Sequence, residues 1–202
     1  MKNLTLLLAF ALLFSLGMTH ADDAADQLES LTEHFPDGLL DGEGNKVGVD
    51  VLKGKAVGIY FSASWCSPCK AFSPVLAKYR EQYKDQFDVV FVSWDRSPAA
   101  QKEYMAEVGM SKYTIAHKGP AAKALSEKYG VRGIPSLVML KSNGDFLTKE
   151  GRAIVSGGHD GSKLADPAIS IKTETEEYKC DRCPKIHKRQ VVKGLEILAV
   201  SE

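Results

Sequence analysis

Four cysteines in 202 residues are too few for a disulfide scaffold. Basic and acidic residues are equal in number, 26 of each, so no net charge draws the chain onto nucleic acid or a membrane surface. Nor are the apolar residues scarce enough, at 44% hydrophobic and 8% aromatic, for a disordered or collagen-like chain. No internal repeat is visible, and no apolar run after residue 18 could span a bilayer. A chain of this length buries roughly 70% of the surface its unfolded form exposes. Its core needs no staple, which leaves the cysteines free for chemistry.

One segment stands apart. Lys2, the apolar stretch Leu4 to Met18 and Thr19-His20-Ala21 have the form of a cleaved secretory signal. The expectation is a periplasmic or secreted protein in oxidising surroundings. The domain plan is then a signal peptide over 1–21, one α/β domain over 22–172 and a C-terminal extension over 173–202.

The rest of the chain alternates between strand and helix patterns. Asp41-Gly42-Glu43-Gly44-Asn45 is a dense turn signal between short apolar pieces and predicts an opening hairpin. Ala56 to Ser62 and Asp88 to Trp94 are β-branched and aromatic runs without strict alternation, as in central strands covered on both faces. Between them, Ser67 to Lys84 has helical spacing, with Phe72, Val75, Leu76 and Tyr79 on one side and Pro74 expected to kink it. Ser97-Pro98 opens a second helix with Tyr104, Met105 and Val108 inward. A third runs from Ala121 to Tyr129 and ends at Gly130. Ser136 to Leu140 and Phe146 to Lys149 flank Ser142-Asn143-Gly144-Asp145 and predict a second hairpin. From Thr173 to Glu202 the sequence reads as a polar segment outside this pattern.

The chemistry concentrates at Trp65-Cys66-Ser67-Pro68-Cys69-Lys70, where a buried strand runs out and a helix begins. Two cysteines at this spacing can close a small disulfide ring, with the first sulfur near the unpaired N–H groups of the first helical turn. Those amides and the helix dipole favour the thiolate, which makes Cys66 the expected nucleophile. Cys69, one turn further in, is the resolving thiol: it attacks Cys66 in the mixed disulfide and releases the reduced partner. Pro68 stiffens the ring. The competing reading is a purely structural disulfide.

Tyr60-Phe61-Ser62-Ala63-Ser64-Trp65-Cys66-Ser67-Pro68-Cys69-Lys70 resembles the active-site segment of the thioredoxin-like superfamily, and within it most resembles the tryparedoxin and nucleoredoxin group. Val89 to Asp95, Tyr129 to Leu137 and Gly151-Arg152-Ala153 extend the likeness over Gly38 to Val155. The resemblance implies an α/β thioredoxin fold: a central mixed β-sheet flanked by helices, with an N-terminal hairpin, a helical insertion at Ser97 to Gly109 and a C-terminal extension. It further implies a thiol-disulfide oxidoreductase that needs no cofactor. Ile134-Pro135 is expected to be a cis peptide facing the cysteines, offering backbone to a substrate strand, with Trp65 as an apolar lip. The implied partners are protein disulfides and a thiol electron donor, either a membrane thiol transporter or another thioredoxin-like protein. Nucleic acid is not among them.

Departures from the pattern qualify the mechanism. Many thioredoxins carry a buried acid six residues before the nucleophile, where this chain has Tyr60, a poor proton acceptor near neutrality. Arg152 matches a tryparedoxin position associated with a glutathione-type cosubstrate, but Arg96 stands where the group has an acid, so that cosubstrate is not assigned. Cys180-Asp181-Arg182-Cys183, with His187 following, is open to three readings: a local disulfide, part of a zinc site completed by His159 or a second chain, or a redox relay to Cys66 and Cys69. Three rival functions remain. A peroxidase would place Thr where Ala63 stands. A cytochrome-maturation reductase shares the fold, and a non-catalytic binding module would keep its cysteines oxidised above a metal- or disulfide-stabilised tail.

Overall fold

The two most apolar runs of the chain lie side by side. In the computed structural model, which describes residues 25–179 and 186–198, β3 (Ala56–Ser62) and β4 (Phe87–Ser93) pair in parallel, with Tyr60 opposite Phe91. Every residue of both strands is buried, which is why neither alternates in sequence. β6 (Ser136–Leu140) runs antiparallel along the other edge of β3 and turns into β7 (Phe146–Thr148). β1 (Leu39–Asp41) and β2 (Lys46–Val47) form the expected hairpin, and β5 (Tyr113–Thr114) joins it to β4. The result is a seven-stranded mixed sheet in the order β2-β1-β5-β4-β3-β6-β7.

Successive residues of β3 face opposite layers. Tyr60 packs with Phe72, Leu76 and Tyr79 of α2 (Ser67–Gln82), Tyr104 of α3 (Pro98–Val108) and Ile154 of α5 (Gly151–Ser156). Ile59 and Phe61 pack on the opposite face with Leu31 of helix α1, residues 25–34, and Leu125 of α4 (Pro120–Lys128). Among the described residues no helix is long and apolar enough to cross a membrane.

Three expectations change. Val75 is 44% exposed rather than inward, and Ser73 and Arg80 take the buried face of α2 instead. Arg80 is admitted there because its Nε donates to Asp88 Oδ1 at 2.5 Å, with Lys55 3.7 Å from Oδ2. α1 and α5 have no counterpart in the sequence reading. The polar C-terminal segment is ordered as β8 (Ile169–Lys179) antiparallel to β9 (Ile186–Ile197), a separate two-stranded sheet. Its base reaches the core, through buried Ile169 and Val192 with Ile171 and Leu195 packed beside them. Glu176 pairs with Arg189 and Lys193 further out, so most of the ladder lacks an apolar signal. The expected signal segment lies outside the described residues, as do Cys180 and Cys183.

α1 is held to α4 by a buried histidine. Nδ1 of His34 donates to the Ser30 carbonyl, and Nε2 accepts from the Tyr129 hydroxyl and from Lys128 Nζ at 3.0 Å. Burial, and then the Lys128 charge, hold His34 below its usual 6.5 against the opposing pull of Ser30 and Glu33; burial pushes Tyr129 up to about 12. The unfolded chain therefore takes up this proton at a higher pH than the native one, and stability present above pH 6.5 is lost as pH falls below it. Thermal unfolding followed between pH 8 and pH 5 is expected to show a falling Tm, with roughly the histidine share of the slope removed in His34→Gln. An unchanged slope in that variant counts against the assignment.

Candidate active site

The strand-to-helix transition places the first cysteine. β3 ends at Ser62, the Cys66 N–H donates to the Ala63 carbonyl, and Cys66 becomes the N-cap of α2 with Pro68 in the first turn. Its Sγ accepts the Cys69 N–H at 3.3 Å, one of the amides a helix start leaves unpaired. Cys66 and Cys69 are joined as a disulfide with their Cα atoms 5.1 Å apart. Cys66 is 6% exposed and Cys69 fully buried.

Ile134-Pro135 is cis, and the Ile134 carbonyl oxygen lies 3.8 Å from Cys66 Sγ. Ala63, Trp94 and Ile134 pack around the two sulfurs. Trp65 stands 53% exposed at the edge, its indole N–H donating to the Trp94 carbonyl at 3.2 Å. Trp65, Cys66, Cys69, Ile134 and Pro135 thus converge on one spot from two loops.

The supporting residues are less visible in sequence. Asp95 is fully buried; Oδ1 accepts from the Ser64 N–H and hydroxyl, both at 2.8 Å, and Oδ2 accepts from the Ser93 hydroxyl at 2.7 Å. It ties the loop before Cys66 to the end of β4. An acid just past the end of the apolar run Val89 to Val92 is the signal that could have found it. Arg152 Nη1 donates to the Pro135 carbonyl at 3.3 Å while its guanidinium lies over the Phe72 ring. That contact depends on Gly151, where an added Cβ would sit 2.7 Å from the Leu137 backbone oxygen; only glycine lets α5 approach β6 this closely. Tyr60 is fully buried, its hydroxyl linked through Ser73 to Tyr104, and burial raises its pKa further, which suits a core residue and not a base. Among the described residues no carboxylate hydrogen-bonds to either cysteine, and no cluster of three His, Cys, Asp or Glu residues is placed to hold a metal. The zinc, disulfide and relay readings fall on Cys180 and Cys183, outside the described residues.

Comparison with known proteins matches this geometry. A family model described as thioredoxin-like matches residues 54–146. Human nucleoredoxin is 36% identical over 126 residues, 60% of this chain and 28% of the relative. The chain therefore spans less than a third of the length of the nucleoredoxins it matches. Tryparedoxin from Trypanosoma brucei brucei is 29% identical over 144 residues, covering 69% of this chain and 99% of that one. The structure of tryparedoxin II from Crithidia fasciculata superposes with a TM-score of 0.61 at 30% identity, covering 70% of this chain and 94% of that one. These relatives correct the compartment. Nucleoredoxins and tryparedoxins are proteins of the cytosol and nucleus, which overturns the periplasmic or secreted localisation expected from residues 1–21. An apolar run behind one positive charge is a compositional pattern that is not confined to cleaved signals. The strand-to-helix cysteine pair, the cis proline facing it and the three comparisons together assign the chain to the thioredoxin-like family, in its nucleoredoxin and tryparedoxin group.

Proposed function

We propose that the chain reduces disulfides of polypeptide substrates, with Cys66 as nucleophile, Cys69 as resolving thiol, and Trp65, Ile134 and Pro135 as the substrate-binding surface. The observation that carries this is the position of Cys66 Sγ, which receives the Cys69 N–H at the start of α2 and faces the Ile134 carbonyl. In the reduced protein the Cys66 thiolate attacks one sulfur of the substrate disulfide, forming the mixed disulfide and releasing the first substrate thiol. Cys69 then attacks Cys66 Sγ, releasing the second thiol and leaving the Cys66–Cys69 disulfide. Two electrons and two protons pass to the substrate, and an external dithiol donor must restore the pair. A membrane thiol transporter loses its rationale as that donor once export is set aside. A small dithiol or another thioredoxin-like protein remains.

The direction is carried by Ser67-Pro68 between the cysteines, with no histidine there to hold the first thiolate. Equilibration with glutathione buffers is expected to give a reduction potential below about −200 mV, whereas a value near −120 mV would mark an oxidase. Under dithiothreitol, insulin reduction is expected to run at least about tenfold faster with the protein than without it. Equal rates would leave a non-catalytic module.

A further inference from the structure

A cleft of about 390 Å³ opens beside the redox site, lined by Ser93, Trp94, Lys118, Ala122, Lys123 and Ser126. Trp94 packs against the Cys66–Cys69 pair and its carbonyl holds the Trp65 indole, so the cleft and the exposed indole flank the same disulfide. Its charge is positive. Lys118 and Lys123 are both exposed, and Lys118 occupies φ +52°, a left-handed conformation uncommon for a residue with a Cβ. Lys123 stands 3.9 Å from Glu127 as a solvent-exposed pair of small energetic weight. Lys118 has no carboxylate partner among the described residues.

The cations continue around the site. Arg96 follows Trp94 by two residues, Arg132 precedes Ile134 by two, and Arg152 sits on the Pro135 carbonyl. All three are exposed, and none forms an ion pair among the described residues. The acids nearby offset them only in part: Asp95 is buried beneath the site with both oxygens hydrogen-bonded to Ser64 and Ser93, Glu127 pairs with Lys123, Glu150 lies beside Gly151, and Glu107 lines a separate cleft with Lys70. A chain with no net charge thus carries a local excess of cations around its reactive sulfurs.

We propose that this site selects polypeptide disulfides flanked by acidic residues, a carboxylate entering the cleft at Lys118 and Lys123 while the cystine meets Cys66. The inference rests on the oxidoreductase reading and names its substrate class. A polypeptide is favoured as the occupant because the Ile134 backbone and the Trp65 indole offer a peptide strand both hydrogen bonds and apolar contact beside the charge.

The test uses the reduced full-length protein with two oxidised peptides of equal length, one bearing Glu and the other Lys on each side of the cystine. Rate constants are measured at about 0.01 M and about 1 M salt, where the Debye length falls from about 30 Å to about 3 Å. The Glu peptide is expected to react about tenfold faster than the Lys peptide at low salt, with the ratio approaching one at high salt. In a Lys118→Asn, Lys123→Gln double variant, in which Asn tolerates the positive φ, the low-salt ratio is expected to fall about threefold or more. A low-salt ratio near one, or a ratio the double variant leaves unchanged, overturns the proposal. Neutral 2-hydroxyethyl disulfide separates the two levels of inference: if the wild-type protein fails to reduce it, the oxidoreductase reading itself falls. Reduction of it without a charge preference between the peptides removes only the acidic-substrate assignment.

Discussion

Cys66→Ser is expected to lower disulfide turnover by at least about a thousandfold, because the hydroxyl that replaces the thiolate neither ionises near neutrality nor exchanges with disulfides. Cys69→Ala is expected to behave differently. The first attack survives and the second is gone, so the protein stops after one event with its client attached through Cys66. Non-reducing gels and mass spectrometry should find mixed disulfides with Cys69→Ala and none with the variant that lacks both cysteines. If Cys66→Ser turns over normally, or if adducts form at Cys69 with equal ease, the assigned roles are wrong. The burial difference supports the asymmetry: Cys66 reaches the surface at the foot of Trp65, and Cys69 does not.

The largest expected loss of stability lies on α2, away from the sulfurs. Arg80 and Asp88 have side chains only 5% exposed each, and their contact is the means by which a cation enters the layer between α2 and β4. Arg80→Met would leave Asp88 buried with the Val89 N–H and, as its one remaining charged partner, Lys55 3.7 Å away. The expected cost is about 3 kcal/mol, read from urea unfolding. Removing both charges in Arg80→Met, Asp88→Leu should recover most of that loss, since the uncompensated carboxylate is what destabilises the single variant. A double variant as unstable as the single one would show that packing, and not charge, is at stake.

The parts of this molecule legible in its sequence are those with a short-range signal. β3 and β4 could be read from unbroken apolar runs, α2 from its spacing, and the hairpins from Asp41 to Asn45 and Ser142 to Asp145. The convergence of Trp65, Cys66 and Cys69 on Ile134 and Pro135 followed from resemblance, since residues 68 positions apart carry no local mark of contact. The inward turn of Ser73 and Arg80 depends on Tyr60, Tyr104 and Asp88, partners supplied by other elements, and so cannot be seen in the helix alone. α1 lacks a strong pattern, because much of its anchoring is polar: Gln27 bonds to the Lys55 carbonyl and to the Gly54 N–H, and His34 bonds to Tyr129. β8 and β9 are stabilised by cross-strand charge pairs, which in sequence look the same as a solvated tail. The compartment is not legible for a related reason: an apolar terminal run reports hydrophobicity, and not destination.

The carboxylate of Asp95 has a consequence for timing. One side chain grips Ser64, two residues before the reactive sulfur, and Ser93, the last residue of a strand enclosed on both faces. The loop cannot tilt without dragging that strand, so the sulfur moves with the interior of the protein and not with its surface. In the proposed exchange this loop then has no movement to complete before attack, and the expected pace is set by how often a partner arrives in the right pose.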